Sequence, residues 1–244
     1  MECQICDATD HHDLGVKGDF HLLRCSACGM VTVDPLPSED ELFHFYQQYA
    51  GNTGYLKKKE SKLKRAGKRI KRIMKHTGGR RFLDIGCNVG YAVEAARLLG
   101  FEAVGIDLDS ESVGFAQKMF PENRFTACSA EALAENNEQF DVIYCAEVIE
   151  HVRELKPFAA SLAALLRPAG VLYLTTPDAS HFRVPKSFPE WPEVKPPEHI
   201  QYFSKQAMKM LLESNGFAQV RFQLNFKTGM RVTAGLPRLT VKEH

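Results

Sequence analysis

From residue 79 onward the chain alternates short apolar runs with longer stretches of helical spacing. Arg81 to Ile85 is mostly apolar and halts at glycine, the pattern of a strand buried on both faces, and Tyr91 to Leu99 carries helical apolar spacing up to Gly100. Ala103 to Ile106 reads as a second buried strand that ends on Asp107. Ser110 caps a helix to about Met119, Arg124 to Ala127 is a third strand, and Phe140 to Cys145 a fourth. Leu155 to Leu166 is an apolar helix closed by Arg167-Pro168-Ala169-Gly170, and Val171 to Thr175 is a fifth strand. A helix capped by Ser204 stops at Asn215-Gly216. Phe217 to Phe226 and Met230 to Ala234 can then pair antiparallel at a sheet edge. Strand and helix alternating in this way predict an α/β fold, a doubly wound sheet of seven strands.

Before residue 79 the pattern changes. Phe20 to Leu23 and Met30 to Val33 are short strands, and Asp34-Pro35-Leu36-Pro37 is a turn that marks a boundary. Ser38 and Glu41 form a capping box, after which Leu42, Phe45, Tyr46 and Tyr49 make the stripe of a helix that docks on something larger. After Gly51 to Gly54 a second helix places Leu56, Leu63, Ala66, Ile70 and Ile73 on one seam. Nearly everything else from Lys57 to Lys75 is Lys or Arg. A solvated face of a docking helix is the favoured reading, and the phosphates of a nucleotide-sugar or of RNA are the natural partners if that face binds. The chain thus divides into residues 1–34, a helical linker or lid at 35–78, and a main domain at 79–240.

Composition narrows the class. The 244 residues carry a net charge of only +1, so no bulk polyanion partner is implied. No apolar run approaches a membrane span and Met1-Glu2-Cys3 does not open a signal peptide, which predicts a cytoplasmic protein. Seven cysteines is an odd number, and Cys87, Cys128 and Cys145 fall in core strands or the central turn, so reduced thiols are expected. The other four, Cys3, Cys6, Cys25 and Cys28, are spaced C-x2-C-x18-C-x2-C. Four thiolates in two knuckles are the closed tetrahedral set that zinc takes in structural sites, so residues 1–34 read as a zinc ribbon holding structural Zn²⁺. His11, His12 and His21 lie between the knuckles and read as a solvated loop.

The candidate chemistry lies in residues 81–107. Asp84 and Asp107 stand at the tips of neighbouring strands, where doubly wound folds open on a ligand crevice. Gly86 and Gly90 allow positive φ and close approach of a ligand to the backbone. An acid about twenty residues after the first glycine is placed to accept from both hydroxyls of a ribose. The turn Gly86-Cys87-Asn88-Val89-Gly90 is out of register with the dinucleotide fingerprint, and Asp84 would repel a pyrophosphate while favouring an ammonium or sulfonium group. This stretch resembles motif I of the class I S-adenosylmethionine (SAM)-dependent methyltransferases, D-x-G-x-G-x-G, with Asn88 in place of the middle glycine. The resemblance implies a Rossmann-like sheet and a cofactor site formed by Asp84, Gly86, Cys87, Gly90, Asp107, Leu108, Ser129, Ala130 and Glu147. Ser129 would stand where the family usually has an Asp that meets the adenine amino group.

Two further stretches carry the resemblance along the chain. Glu147-Val148-Ile149-Glu150-His151-Val152 is similar to the E-x-x-E-H-V of the ubiquinone-biosynthesis O-methyltransferases and their relatives, where it borders the active site. If it is helical, Glu147, Glu150 and His151 share one face and can hold a hard metal such as Mg²⁺ or act as an acid/base cluster. After a long proline-rich loop, 177–197, with the chain's only tryptophan, Trp191, comes Pro196-Pro197-Glu198-His199-Ile200-Gln201-Tyr202-Phe203-Ser204. It resembles the P-x-E-H-x-x-x-F-S stretch of zinc-ribbon methyltransferases of that group. The reading that follows is an enzyme moving a methyl group from SAM to a small hydroxylated acceptor, a sugar, nucleotide-sugar or phenol, by O-methylation. His199 is the first candidate base, His151 the second, with Glu150 beside it. The rivals are an RNA methyltransferase guided by ribbon and basic helix, disfavoured because no aromatics interleave with the cations, and a non-catalytic SAM-binding adaptor.

Overall fold

The computed structural model describes residues 1–49 and 59–237. Leu56, Lys57, the Gly51–Gly54 stretch and the end of the main domain at 238–240 lie outside the described residues, as do the side chains of Tyr46 and Tyr49. The described residues form two sheets. The larger has seven strands: β4 (Arg81–Ile85), β5 (Glu102–Asp107), β6 (Arg124–Ala127), β7 (Phe140–Ala146), β8 (Leu166–Pro177), β10 (Ala218–Phe222) and β11 (Gly229–Gly235). Their order is β10-β11-β8-β7-β4-β5-β6, parallel from β8 to β6 and antiparallel at β11 and β10. Parallel strands covered on both faces need apolar side chains at successive positions. Phe82, Leu83 and Ile85 in β4 and Val142 to Cys145 in β7 meet that need and are buried.

Helices cover both faces. On one side α2 (Lys59–Ile73) and α3 (Tyr91–Arg97) bury Ala66, Ile70, Ile73, Ala95 and Ala96 against Phe82, Tyr144 and Tyr173. Of the seam read from the sequence, Ala66, Ile70 and Ile73 are buried and Leu63 is partly buried. α4 (Ser110–Met119) extends this layer, capped by Asp109, one residue before the Ser110 expected. On the other side α5 (Ala130–Ala134), α6 (Leu155–Leu165) and α7 (Lys205–Ser214) share a core with Leu83, Ile143, Leu172 and Leu174. Ser204 caps α7 by accepting from the Ala207 amide. Among the described residues no helix is long and apolar enough to cross a membrane.

The amino-terminal segment departs from expectation in two ways. Residues between the knuckles are not a solvated loop: His11–Lys17 forms β1, paired antiparallel with β2 (Phe20–Cys25), which pairs with β3 (Val31–Asp34). His11 and His12 sit in β1, and His21 in β2 bonds Asp13 at 2.9 Å. An edge strand whose side chains are all exposed or half-exposed, without alternation, carries little apolar signal, so periodicity misses it. Second, β3 pairs with β9 (Gln201–Tyr202), so the small sheet takes its fourth strand from the far part of the chain. Cys25, Cys28 and Met30 lie in one buried cluster with Ile149, Phe203 and Met208.

The proline-rich loop is ordered around its apolar residues. Phe188 and Trp191 pack with Tyr202 and with Leu22, Val31 and Val33 of the ribbon, and Trp191 is 2% exposed. β8 begins at Leu166, so Arg167 to Gly170, expected as a helix-closing turn, belongs to a strand whose register shifts opposite Phe140 to Val142. α1 (Glu39–Tyr49) begins at the expected capping box, with Ser38 Oγ accepting from the Glu41 amide.

Candidate functional site

β4 lies between β5 and β7, so its carboxyl end, the turn after it and the end of β5 emerge at one edge. The turn is closed onto β5 by two bonds, with the amides of Gly86 and Cys87 both donating to the Ile106 carbonyl at 2.9 Å. Gly86, Asn88 and Gly90 hold φ of 70°, 47° and 83°, so the asparagine occupies the left-handed region as its chemistry allows. Close approach of a ligand is not what demands the glycines. A Cβ on Gly86 would stand 2.4 Å from Val148 Cγ2, and one on Gly90 2.6 Å from Phe125 Cζ. The first of these contacts seats the turn directly against the Glu147–Val152 segment.

Asp107 ties the crevice together. Its Oδ2 accepts from the Asn88 amide at 2.7 Å and its Oδ1 from the Asp109 amide at 3.0 Å. A carboxylate has about four lone-pair sites, so each oxygen keeps one for a ligand hydroxyl. Burial raises the Asp107 pKa, and burial followed by the charge of Asp107 pushes Asp84 well above the usual carboxylate range. Two acids desolvated side by side favour a cationic ligand, which would let both ionise. Cys87 is buried and its thiol is raised by burial and by both acids, which makes it an unreactive lining residue.

The remaining cofactor candidates fall along the same edge. Leu108, beside Asp107, is 79% exposed. Ser129 spends its hydroxyl oxygen as acceptor for the Ala132 amide, capping α5, and Ala130 is buried. The Cys128 amide bonds the Asp107 carbonyl, which holds this corner against β5.

The segment after β7 is not the helix that would align Glu147 with Glu150 and His151. Glu147 takes φ 58°, and only Ile149–His151 makes a single 3-10 turn. Glu147 turns toward β8, where its carboxylate accepts from Thr175 Oγ1 at 2.6 Å and its amide donates to the Thr175 carbonyl. Glu150 points into the protein, fully buried, with Oε2 accepting from Thr176 Oγ1 at 3.0 Å. Among the described residues its Oε1 has no hydrogen-bond partner, and burial with the Glu147 charge holds its pKa well above normal.

His199 takes the place that Glu147 was expected to fill. The Ile200 amide donates to the Glu150 carbonyl at 3.0 Å, which draws the 198–200 segment onto the 3-10 turn. The His151 and His199 rings then meet edge to face, 4.8 Å apart. His151 Nδ1 lies 2.6 Å from the Glu198 carbonyl, and His199 Nδ1 lies 2.9 Å from that of Glu193. A carbonyl only accepts, so both rings are Nδ1–H tautomers with the lone pair on Nε2. Burial lowers both pKa values. Burial first, then the charges of His151 and Lys195, take His199 down to about 3.

Glu150, His151 and His199 offer ligand atoms within 4.8 Å of one another. Two imidazoles and one carboxylate suit a transition ion better than Mg²⁺, which prefers oxygen ligands, so the expected Glu147/Glu150/His151 magnesium set is not the one assembled. The four ribbon cysteines also converge: Cys3 and Cys28 sulfurs are 3.6 Å apart and those of Cys6 and Cys25 3.5 Å. Tetrahedral coordination at about 2.3 Å per sulfur needs about 3.8 Å between sulfurs, so the set can hold one metal with little movement. Sequence reasoning missed Thr175 and Thr176, the residues that orient the two glutamates. The available signal was a pair of hydroxyls ending a buried strand.

Residues 55–221 match the family described as a methyltransferase domain. A ubiquinone biosynthesis O-methyltransferase of Methylococcus capsulatus is 36% identical over 115 residues, 44% of this chain and 48% of that protein. The chain spans about half the length of the curated relatives it matches. The crystal structure of the Burkholderia thailandensis 1,6-didemethyltoxoflavin-N1-methyltransferase, with 1,6-didemethyltoxoflavin and S-adenosylhomocysteine bound, superposes with a TM-score of 0.59 over 94% of this chain and all of that one, at 17% identity. A SAM-dependent methyltransferase of Archaeoglobus fulgidus gives a TM-score of 0.57 over 79% of this chain. These two likenesses carry the fold. The family match over most of the sequence shows that the chain belongs to the methyltransferase domain family, and the seven-stranded sheet it shares with these structures is the class I SAM-dependent methyltransferase fold.

Proposed function

We propose that the chain transfers the methyl group of SAM to a hydroxyl oxygen of a small acceptor bound at the carboxyl edge of β4, β7 and β8. The observation that carries this reading is the contact of the glycine turn with Val148, which joins the Asp84/Asp107 crevice to Glu150, His151 and His199 in one edge-wise site. Asp107 accepts from the ribose hydroxyls, and Asp84 faces the methionine end, where a cationic group restores its charge. Gly86, Cys87, Gly90, Leu108, Ser129, Ala130 and Glu147 line the cofactor.

The sulfonium already activates the methyl carbon, so the protein has to align the two reacting atoms and remove one proton. His199 or His151 accepts that proton on Nε2. Each ring is held in the required tautomer by a backbone carbonyl, and burial lowers the pKa of both by opposing the charged form. Glu150 Oε1, which has no hydrogen-bond partner among the described residues, is placed to accept from the Nε2–H of the ring that takes the proton. The same three side chains would hold a divalent transition ion, which when bound would lower the pKa of a coordinated hydroxyl. Cys3, Cys6, Cys25 and Cys28 hold one structural zinc, and residues 1–34, 35–78 and 79–240 act as ribbon, linker and SAM-binding unit.

The test is labelled SAM incubated with phenols, sugars and sugar nucleotides, and separately with total RNA. Label should enter a hydroxylated small molecule, and His199→Ala should lower turnover about 10²- to 10⁴-fold with SAM affinity nearly intact. Label found only in RNA, or turnover unchanged in both His199→Ala and His151→Ala, would overturn the reading.

A further inference from the structure

The cations of α2 are not uniformly solvated. On one flank Lys59 and Lys62 lie over the rings of Phe120 and Tyr91, 5.1 and 5.4 Å from their centroids. On the other, Arg65, Lys68, Arg69 and Arg72 follow one another at i, i+3, i+4 and i+7, a single stripe beside the buried seam. This stripe walls a cleft of about 370 Å³ whose far side is β11, and β11 contributes another cation, Arg231. Among the described residues neither the stripe nor Arg231 enters an ion pair, and no Asp or Glu lines the cleft. With Lys64, which also lines the cleft, six Lys and Arg side chains from two separate elements surround one concavity and repel one another unless an anion sits between them. Arginine forks match phosphate geometry, and the volume falls at the lower end of the range of small-ligand pockets.

The cleft also leads somewhere. Its floor is Tyr173 of β8, stacked on Tyr144 at 5.2 Å, and Arg69 donates to the Tyr144 hydroxyl at 3.0 Å. Alternation along a strand puts Tyr173 and Thr175 on the same face, about 6 to 7 Å apart. Thr175 is the residue that holds Glu147. A group bound in the cleft is therefore one strand-step from the carboxyl edge where methyl transfer is proposed.

We infer that this cleft, between the Arg65/Lys68/Arg69/Arg72 stripe and Arg231, binds a phosphate or diphosphate group carried by the methyl acceptor. The inference rests on the methyltransferase reading for the word acceptor and on the cleft alone for the anion. Phosphate chemistry is favoured over a nucleic acid because, among the described residues, no exposed aromatic ring interleaves with the stripe to stack bases.

The experiment titrates the full chain with inorganic pyrophosphate, with uridine diphosphate and with SAM, by calorimetry. Arg65→Glu/Lys68→Glu and Arg231→Glu provide the variants, with circular dichroism and urea midpoints as the check on folding. Pyrophosphate and the nucleotide should bind competitively, weaken with added salt, and lose at least about tenfold in affinity in each folded variant, with SAM affinity unchanged. No binding of either anion by the wild type, or equal binding by the variants, overturns the inference. An oligoribonucleotide that binds more tightly with length and is not displaced by pyrophosphate also overturns it. Failure of SAM to bind the wild type sinks the methyltransferase reading instead, and leaves the anion titration standing.

Discussion

Replacing Asp107 by Ala tests the cofactor placement most directly. The carboxylate accepts from two backbone amides and, in the proposed complex, from two ribose hydroxyls. Hydrogen bonds to a charged acceptor contribute about 1.5–3 kcal/mol, and re-solvation of the vacated space limits the loss for the pair to about that range. SAM affinity should then fall about 10- to 150-fold. The two orphaned amides cost the fold about 1–3 kcal/mol, partly offset because a buried acid with a raised pKa is removed. The two effects are separable by urea unfolding with and without ligand. At 100 times the wild-type Kd, SAM stabilises the wild type by about 2.7 kcal/mol. At the same concentration it should stabilise the variant by only about 0.3–1.4 kcal/mol. A variant that loses stability but binds SAM within about twofold of wild type would show that Asp107 merely ties the turn to β5, and would refute the placement.

Removing the zinc proposed for the ribbon, or substituting Cys25→Ser, should red-shift the emission of Trp191, because that ring is buried against β2 and β3. Metal analysis should give about one zinc per chain, and emission unchanged on full metal loss would contradict the docking. Gly86→Ala should destabilise by about 2–5 kcal/mol, from a left-handed φ at about 1–2 and overpacking against Val148 at about 1–3. Adding Val148→Ala should recover part of that loss, and strictly additive urea data would refute the clash. Asp84 and Glu150 have folded pKa values raised well above their unfolded ones by burial, so the folded state holds their protons longer. Stability contributed this way is complete below about pH 4 and declines as pH rises through the raised values. Urea midpoints between pH 5 and 8 should therefore decline less steeply in Glu150→Gln than in wild type, and identical slopes would count against the buried acid.

What the sequence revealed and what it hid divide along physical lines. Strands buried on both faces announce themselves as apolar runs, so β4, β5, β7 and the seam of α2 were legible. Asp84, Asp107 and the glycines were legible because a turn with positive φ between buried strands leaves few residue choices. The meeting of His151 with His199 was not. It depends on an amide-to-carbonyl bond between Ile200 and Glu150, and backbone bonds between distant loops leave no residue signature. The same holds for β1, an edge strand with half-exposed side chains, and for Glu147, where a single left-handed residue replaces the helix that spacing suggested.

The pairing of β3 with β9 fixes an order of assembly. Thr32 donates to Gln201 across 169 residues of chain, and the Cys28 carbonyl accepts from Ser204. During synthesis the cysteine knuckles emerge long before the strand that completes their sheet, so the early ribbon exposes Leu22, Val31 and Val33 until Trp191 and Tyr202 arrive. Closing such a distant contact is slow, and an unsatisfied strand edge invites pairing with other chains. If the four cysteines take the zinc proposed for them, early capture would keep the knuckles compact through that interval, and the cysteines would then act on the yield of folded protein as well as on its final stability.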